Sequence, residues 1–159
     1  LALINPKIPY KTIRDSLRDL YRNNMAALNV NLTAGTFTSN DQIVGADPEI
    51  ENTMLALYPM IFIRIENKNE AFRSIGNAGR KHPVVNFKVF GIVSDMSVNK
   101  EDEIIYLASN MEGLLRDNIQ FDNNVIKSDL GDTTWGLALE KGVYIKAVGI
   151  DIACTVEIR

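Results

Sequence analysis

The sequence predicts an α+β fold: an antiparallel, or mixed, β-sheet packed by two main helices, with a long hairpin arm. Three observations predict it. Two stretches, Tyr10–Leu28 and one running from Asn99 to about Asn118 or Gln120, carry apolar residues at helical spacing. Apolar runs at Met60–Ile65, Val84–Val93 and Trp135–Ile158 are short or alternate with period two, as strands do. The order is helix, loop, short helix, strand, arm, strand, helix, strand, strand, with no internal repeat or linker, so one domain over 1–159 is expected.

The elements follow in turn. In Tyr10–Leu28, Ile13, Leu17, Leu20, Tyr21 and Leu28 share one face, and Asp15→Arg18 and Asp19→Arg22 support the other. Pro9 suits an abrupt start. Asn29–Asp47 lacks any period and is rich in Asn, Thr, Gly and Ser, which reads as an extended loop or surface arm (29–47). Asp47, Pro48 and Glu49 form a helix-start signal, and Tyr58-Pro59 ends that short helix. Met60–Ile65 is a strand, and in Val84–Val93 the residues Phe87 and Val89 point opposite to Asn86 and Lys88. Between these strands lies a polar arm, Glu66–His82.

Asn99 can cap the second main helix, with Glu101, Asp102 and Glu103 in its first turn, where the helix dipole favours negative charge. Ile104, Ala108, Met111 and Leu115 form its buried stripe, flanked by Ile105 and Leu107. Gly113 in its interior costs about 1 kcal/mol relative to alanine, the kind of position where another backbone comes close. Phe121–Asp132 reads as loop. Trp135, Leu137 and Leu139 alternate, Glu140–Gly142 turns the chain, and Val143, Ile145 and Ala147 alternate again. The apolar phase then flips to Ile150, Ile152, Cys154, Val156 and Ile158, which predicts a β-bulge at Ala147–Gly149 pivoting on Gly149.

Composition excludes several classes. The net charge of −3 argues against general attraction to nucleic acid or anionic membrane. No apolar run approaches the roughly 18–20 residues of a membrane helix. The leading LALINPKIPYK is too short and too proline-broken for a signal peptide. With one His and one Cys, most metal sites and nucleophile–base pairs are ruled out. Cys154 reads as a small buried hydrophobe and His82 as a hairpin-end histidine. There is no phosphate-binding glycine loop and no G-x-S-x-G elbow, so no catalytic, metal or cofactor-binding residue is assigned and an enzyme is not expected.

Charge is uneven. Asp95–Asp132 carries nine acids against three bases, while Tyr10–Leu28 and Glu66–His82 each carry four bases against two acids. EAFRSIGNAGRKHP, residues 70–83, contains a G-x-x-G with Arg80 and Lys81 beside it. In KH-type RNA-binding domains such a loop joins two helices and grips phosphates. Here the flanks read as β, so the hairpin-arm reading is preferred. Phe72 and Ile75 are then apolar anchors against a neighbour, with Arg73, Arg80 and Lys81 seeking its carboxylates.

A helix over Tyr10–Asn24, the strand YPMIFIRI, a polar excursion before the next strand, the helix DEIIYLASNMEGLLRDNI and the closing WGLALEKGVYIKAVGIDIACTVEIR together resemble the tail terminator (tail-completion) proteins of long-tailed bacteriophages. The resemblance covers roughly Tyr10–Asn24 and Tyr58–Arg159 and lies in element order and hydrophobic pattern. It implies a virion protein of the tail or neck, assembled in the host cytoplasm. Such a protein forms a ring, usually a hexamer, that caps the tail tube and meets the head connector or closure protein. DNA passes through the lumen without specific binding; no membrane, cofactor or catalytic residue is involved. Another neck or tail ring protein, or a small RNA-binding domain using 75–81, are the alternatives. A ring needs unlike patches that meet. The Arg14, Arg18 and Arg22 face or the Arg73, Arg80 and Lys81 arm, set against the acidic segment with Glu101 and Asp102, is expected to supply them.

Overall fold

The computed structural model describes residues 8–33, 35–46, 58–70, 82–94, 100–140 and 143–156. Helix α1 (Tyr10–Arg22) is followed by the single turn α2 (Met25–Leu28), strands β1 (Ile43–Val44), β2 (Met60–Asn69) and β3 (Val84–Ser94), helix α3 (Lys100–Asp117), and strands β4 (Val125–Glu140) and β5 (Val143–Val156). The strands form one five-stranded mixed sheet in the order β1-β2-β3-β5-β4, with β1 parallel to β2 and every other pair antiparallel. The α+β class read from the sequence is the observed one.

The core lies between one face of the sheet and the helices. Ile61 and Ile63 of β2, Val85, Phe87 and Val89 of β3, and Val148, Ile150, Ile152, Cys154 and Val156 of β5 meet Ile13, Leu17 and Tyr21 of α1 and Ile104, Leu107 and Met111 of α3. Each such large apolar side chain contributes about 1.5–3 kcal/mol on burial. Gly91 lets α3 sit close to β3, because a Cβ there would stand 2.8 Å from Met111 Sδ and 3.0 Å from Leu107 Cδ2. On the opposite face a smaller cluster joins Phe62, Ile92 and Ile145 with the partly buried Val44, Tyr58 and Phe90. The Phe62 and Phe90 rings stack at 4.7 Å.

The structure departs from the sequence reading in five places. The first helix is not continuous to Leu28. It stops at Arg22, where the Asn24 amide donates to Leu20 O at 2.7 Å and takes up a carbonyl that the helix would otherwise leave exposed.

The 29–47 stretch does not project as an arm over its described part, 29–33 and 35–46. Leu32, Phe37, Gln42 and Ile43 are buried, and β1 joins the sheet. Gln42 holds it: its Oε1 accepts from Thr38 N at 2.7 Å and Ser39 N at 2.9 Å, and its Nε2 donates to Thr36 O at 3.1 Å and Pro59 O at 3.0 Å. Asn29 adds a second tie, exchanging bonds with Phe37 N at 2.6 Å and Phe37 O at 2.9 Å.

Third, β2 runs beyond Ile65 to Asn69, pairing Asn67 with Asn86, Lys68 with Val85 and Asn69 with Val84 after a shift at Glu66. Glu66–Asn69 therefore belongs to the sheet and not to an arm. Its side chains are exposed because the strand has passed beyond the helical layer, so no apolar alternation marks it.

Fourth, most of the expected loop Phe121–Asp132 is strand. Two register shifts in β4, between Val125 and Lys127 and between Leu130 and Thr133, destroy the period-two pattern that would have revealed it.

Fifth, β5 has no bulge against β3. The pairing steps residue for residue from Ser94↔Ile145 to Val84↔Thr155. The apolar phase changes because Ile145 faces the smaller cluster while Val148, Ile150 and Ile152 face the helices. A Cβ at Gly149 would meet Lys88 Cε at 2.8 Å, the far end of a flexible side chain that can move aside, so neither a bulge nor crowding demands glycine there. The expected short helix after Asp47 and the turn at Lys141–Gly142 lie outside the described residues.

Candidate interaction surfaces

The sheet order places the two main helices at opposite ends of one layer. Helix α1 stands over the β1–β2 end, where Arg22 Nε donates to Ile43 O at 2.8 Å. Helix α3 stands over β3, β5 and β4, where Glu112 accepts from Thr133 Oγ1 at 2.6 Å and Glu101 pairs with Lys146. The seam between them is closed by Ser16 Oγ, which donates to Asp122, and by Tyr21 OH, which reaches Met111 O at 3.5 Å.

On α1, Arg14 and Arg18 sit in a tight charge group. Lys11, Arg14 and Arg18 all approach the Asp15 carboxylate, at 2.8, 2.9 and 3.5 Å. The hydrogen bond from Lys11, with that from Arg14 and the charges of Arg14 and Arg18, holds the Asp15 carboxyl below its ordinary range. Arg18 also reaches Asp19 at 3.1 Å.

The three acids in the first turn of α3 are not equivalent. Glu101 and Asp102 are exposed, as a solvated first turn would have them. Glu103 is buried, its Oε1 accepting from Thr33 N at 2.8 Å and Thr33 Oγ1 at 2.7 Å. This carboxylate pins the 29–46 segment to α3, a role that its place in a run of acids does not signal.

Phe72, Arg73, Ile75, Arg80 and Lys81 lie outside the described residues. Both described ends of their segment belong to a β-hairpin, since Asn69 pairs with Val84. A KH loop instead joins two helices.

Trp135 is a residue that sequence reasoning does not single out: it reads only as alternating with Leu137 and Leu139, and it is 54% exposed. It stands on the outermost strand, where a groove is lined by Glu101, Ile104, Trp135, Gly136, Lys146 and Ala147. A second cleft further along the same α3–β4 boundary is lined by Leu115, Arg116, Ile119, Leu130, Gly131 and Ile152, among others. The signal available in the sequence was the polar and glycine setting of Trp135, TTWG, which is not a core context.

Cys154 is buried, and that burial, reinforced by Asp122 and Asp129, pushes its thiol up to about 12. It is a packing residue, with its nucleophilic form suppressed at neutral pH. Among the described residues no group of three or more His, Cys, Asp or Glu is placed to hold a metal ion. No helix among them is long and apolar enough to cross a membrane.

No protein-family model matches the chain, and no curated protein matches it. Among solved structures, the chain is similar in fold to a chain from the virion of a native gene transfer agent particle. The TM-score is 0.55 at 11% sequence identity, over 93% of this chain and 96% of that one. At that identity the likeness is one of fold, and it extends over nearly the full length of both chains.

Proposed function

We propose that this chain is a structural virion protein of a phage-like particle. More specifically, we read it as a tail terminator whose copies form a six-fold ring at the end of the tail tube nearest the head. The observation that carries the reading is the near full-length fold likeness to a virion chain. The element order that resembles tail terminators points the same way. Its partners would be further copies of itself, the tube protein and the head connector or closure protein. DNA would pass through the ring without specific binding, in keeping with a net charge of −3. The role is assembly and not catalysis.

Electron microscopy of particles assembled without the protein tests this. Tails of irregular length with no attached heads are the expected result, restored by supplying the wild-type chain. Tails of normal length that stay unattached would instead make it a head-closure protein, and loss of the tube would make it a tube protein. Normal, headed particles would overturn the virion reading.

A further inference from the structure

The outer edge of β4 is guarded along its first half and open along its second. Ser128 N donates to Ile119 O at 3.0 Å and Gln120 Nε2 donates to Ile126 O at 2.6 Å, so the chain ahead of β4 closes the edge there. Lys127, Asp129 and Asp132, with the two register shifts, add the usual defences of an edge strand. From residue 133 to 140 the pairing with β5 steps residue for residue, and TTWGLAL, residues 133–139, carries no charge and no proline. Among the described strands β4 pairs only with β5, and Thr134, Trp135 and Gly136 are exposed. A regular, uncharged edge of this kind is a template for another strand.

The far edge of the same sheet has a matching opening. β1 pairs with β2 only at Ile61 and Phe62, and residues 64–69 of β2 are all exposed. The open stretch of β2 therefore begins at Ile63. Strand direction fits. β2 runs antiparallel to β3, β3 to β5 and β5 to β4, so β2 of a second copy in the same orientation would run antiparallel to β4. The faces fit as well. Trp135 pairs with Val148 and Ile65 with Phe87, and both partners lie in the core beneath the helices, so Trp135 and Ile65 share that face of the sheet. They are 54% and 47% exposed, one at each edge.

Within one chain Trp135 shares a row with Val148, Gly91 and Ile61. Placing it beside Ile65 of a second copy slides that copy from Ile61 to Ile65, about 13 Å along the strands, against about 19 Å across the strands β2, β3, β5 and β4. Strands so staggered lean about 35° from the axis of a ring, the inclination at which sheets close into barrels. One stagger thus pairs the two exposed side chains and permits closure.

We infer that β4 of one copy takes β2 of the next as its neighbouring strand, head to tail. Residues 133–137 pair with the stretch of β2 that begins at Ile63, and Trp135 lies opposite Ile65. Backbone hydrogen bonds hold the contact, and an aromatic on a β-branched residue covers both exposed apolar side chains. The contact joins two unlike edges, so it propagates and closes. The inference rests on the ring in the reading above and names the strands that join it.

Cysteine cross-linking of the full chain tests it, with the buried Cys154 left in place. Ile65→Cys is mixed with Trp135→Cys, and Arg64→Cys with Gly136→Cys, and each mixture is oxidised at high protein concentration. Of two adjacent cross-strand pairs, one is the close kind that does not exchange backbone bonds, so at least one mixture should give disulfide dimers. No single variant should give them alone. Trp135→Cys or Gly136→Cys dimers formed without a partner variant would mean that β4 pairs with β4 and would overturn the inference. In light scattering, Trp135→Lys and Ile65→Lys should each weaken self-association about tenfold or more, with the urea midpoint of the dilute chain unchanged. Wild-type rings with no cross-link in either mixture would overturn this inference and leave the ring reading intact. A wild type that stays monomeric at every concentration would overturn both.

Discussion

The two edges of the sheet solve the same problem in opposite ways. At the β1–β2 edge a polar, aperiodic segment is folded down over the sheet, and its few buried polar side chains are bonded on all sides. Gln42 alone satisfies two backbone N–H groups and two carbonyls, and Glu103 reaches across from α3 to hold Thr33. At the β4 edge a long strand leaves Trp135 and Ile126 exposed. The lesson is that polarity in sequence does not mark the free surface of this molecule. The polar stretch is the sealed edge and the more apolar one is open.

Substitutions at four positions break or sharpen that comparison. The largest effect is expected at the sealed edge. Gln42→Ala would leave buried backbone groups unsatisfied and should cost about 2–3 kcal/mol, read as a lower urea midpoint. Glu103→Ala should cost about 1–2 kcal/mol by the same measurement, and Glu103→Gln, whose amide oxygen can still accept from Thr33, should recover most of it. Gly113→Ala in α3 should raise the thermal midpoint, a gain of about 1 kcal/mol, because helix propensity improves and no atom within 4 Å obstructs the new methyl. Trp135→Ser should change the stability of the dilute, isolated chain by no more than about 0.5 kcal/mol. A large loss there would mean that Trp135 packs within its own chain, and the contrast between the edges would disappear.

Much of the helical layer was legible. The stripe Ile104, Ala108, Met111 and Leu115 is buried as its spacing predicts, and so are Ile13, Leu17, Tyr21 and Leu28. Strands β2 and β3 were found by their apolar runs. The errors fall where hydrogen bonding, not burial, makes the structure. Glu66–Asn69 is strand although its side chains are exposed, and β1 is a strand of only two residues within a polar stretch. In β4, two inserted residues scrambled the alternation. In β5 the apolar phase change came from a strand covered on both faces, which a sequence window cannot distinguish from a bulge.

For the candidate surface, charge was legible and position was not. The sequence by itself determined that basic residues gather on the first helix and acids around the second, because composition and helical spacing are local properties. It also determined the α+β class, since the periods of helix and strand are local too. Only the tertiary structure decided that these charges stand at opposite ends of one helical layer, that Glu103 turns inward while Asp102 stays out, and that Trp135 lies on an outer strand. Those outcomes depend on strand order and register, which are set by pairing between residues far apart in the chain.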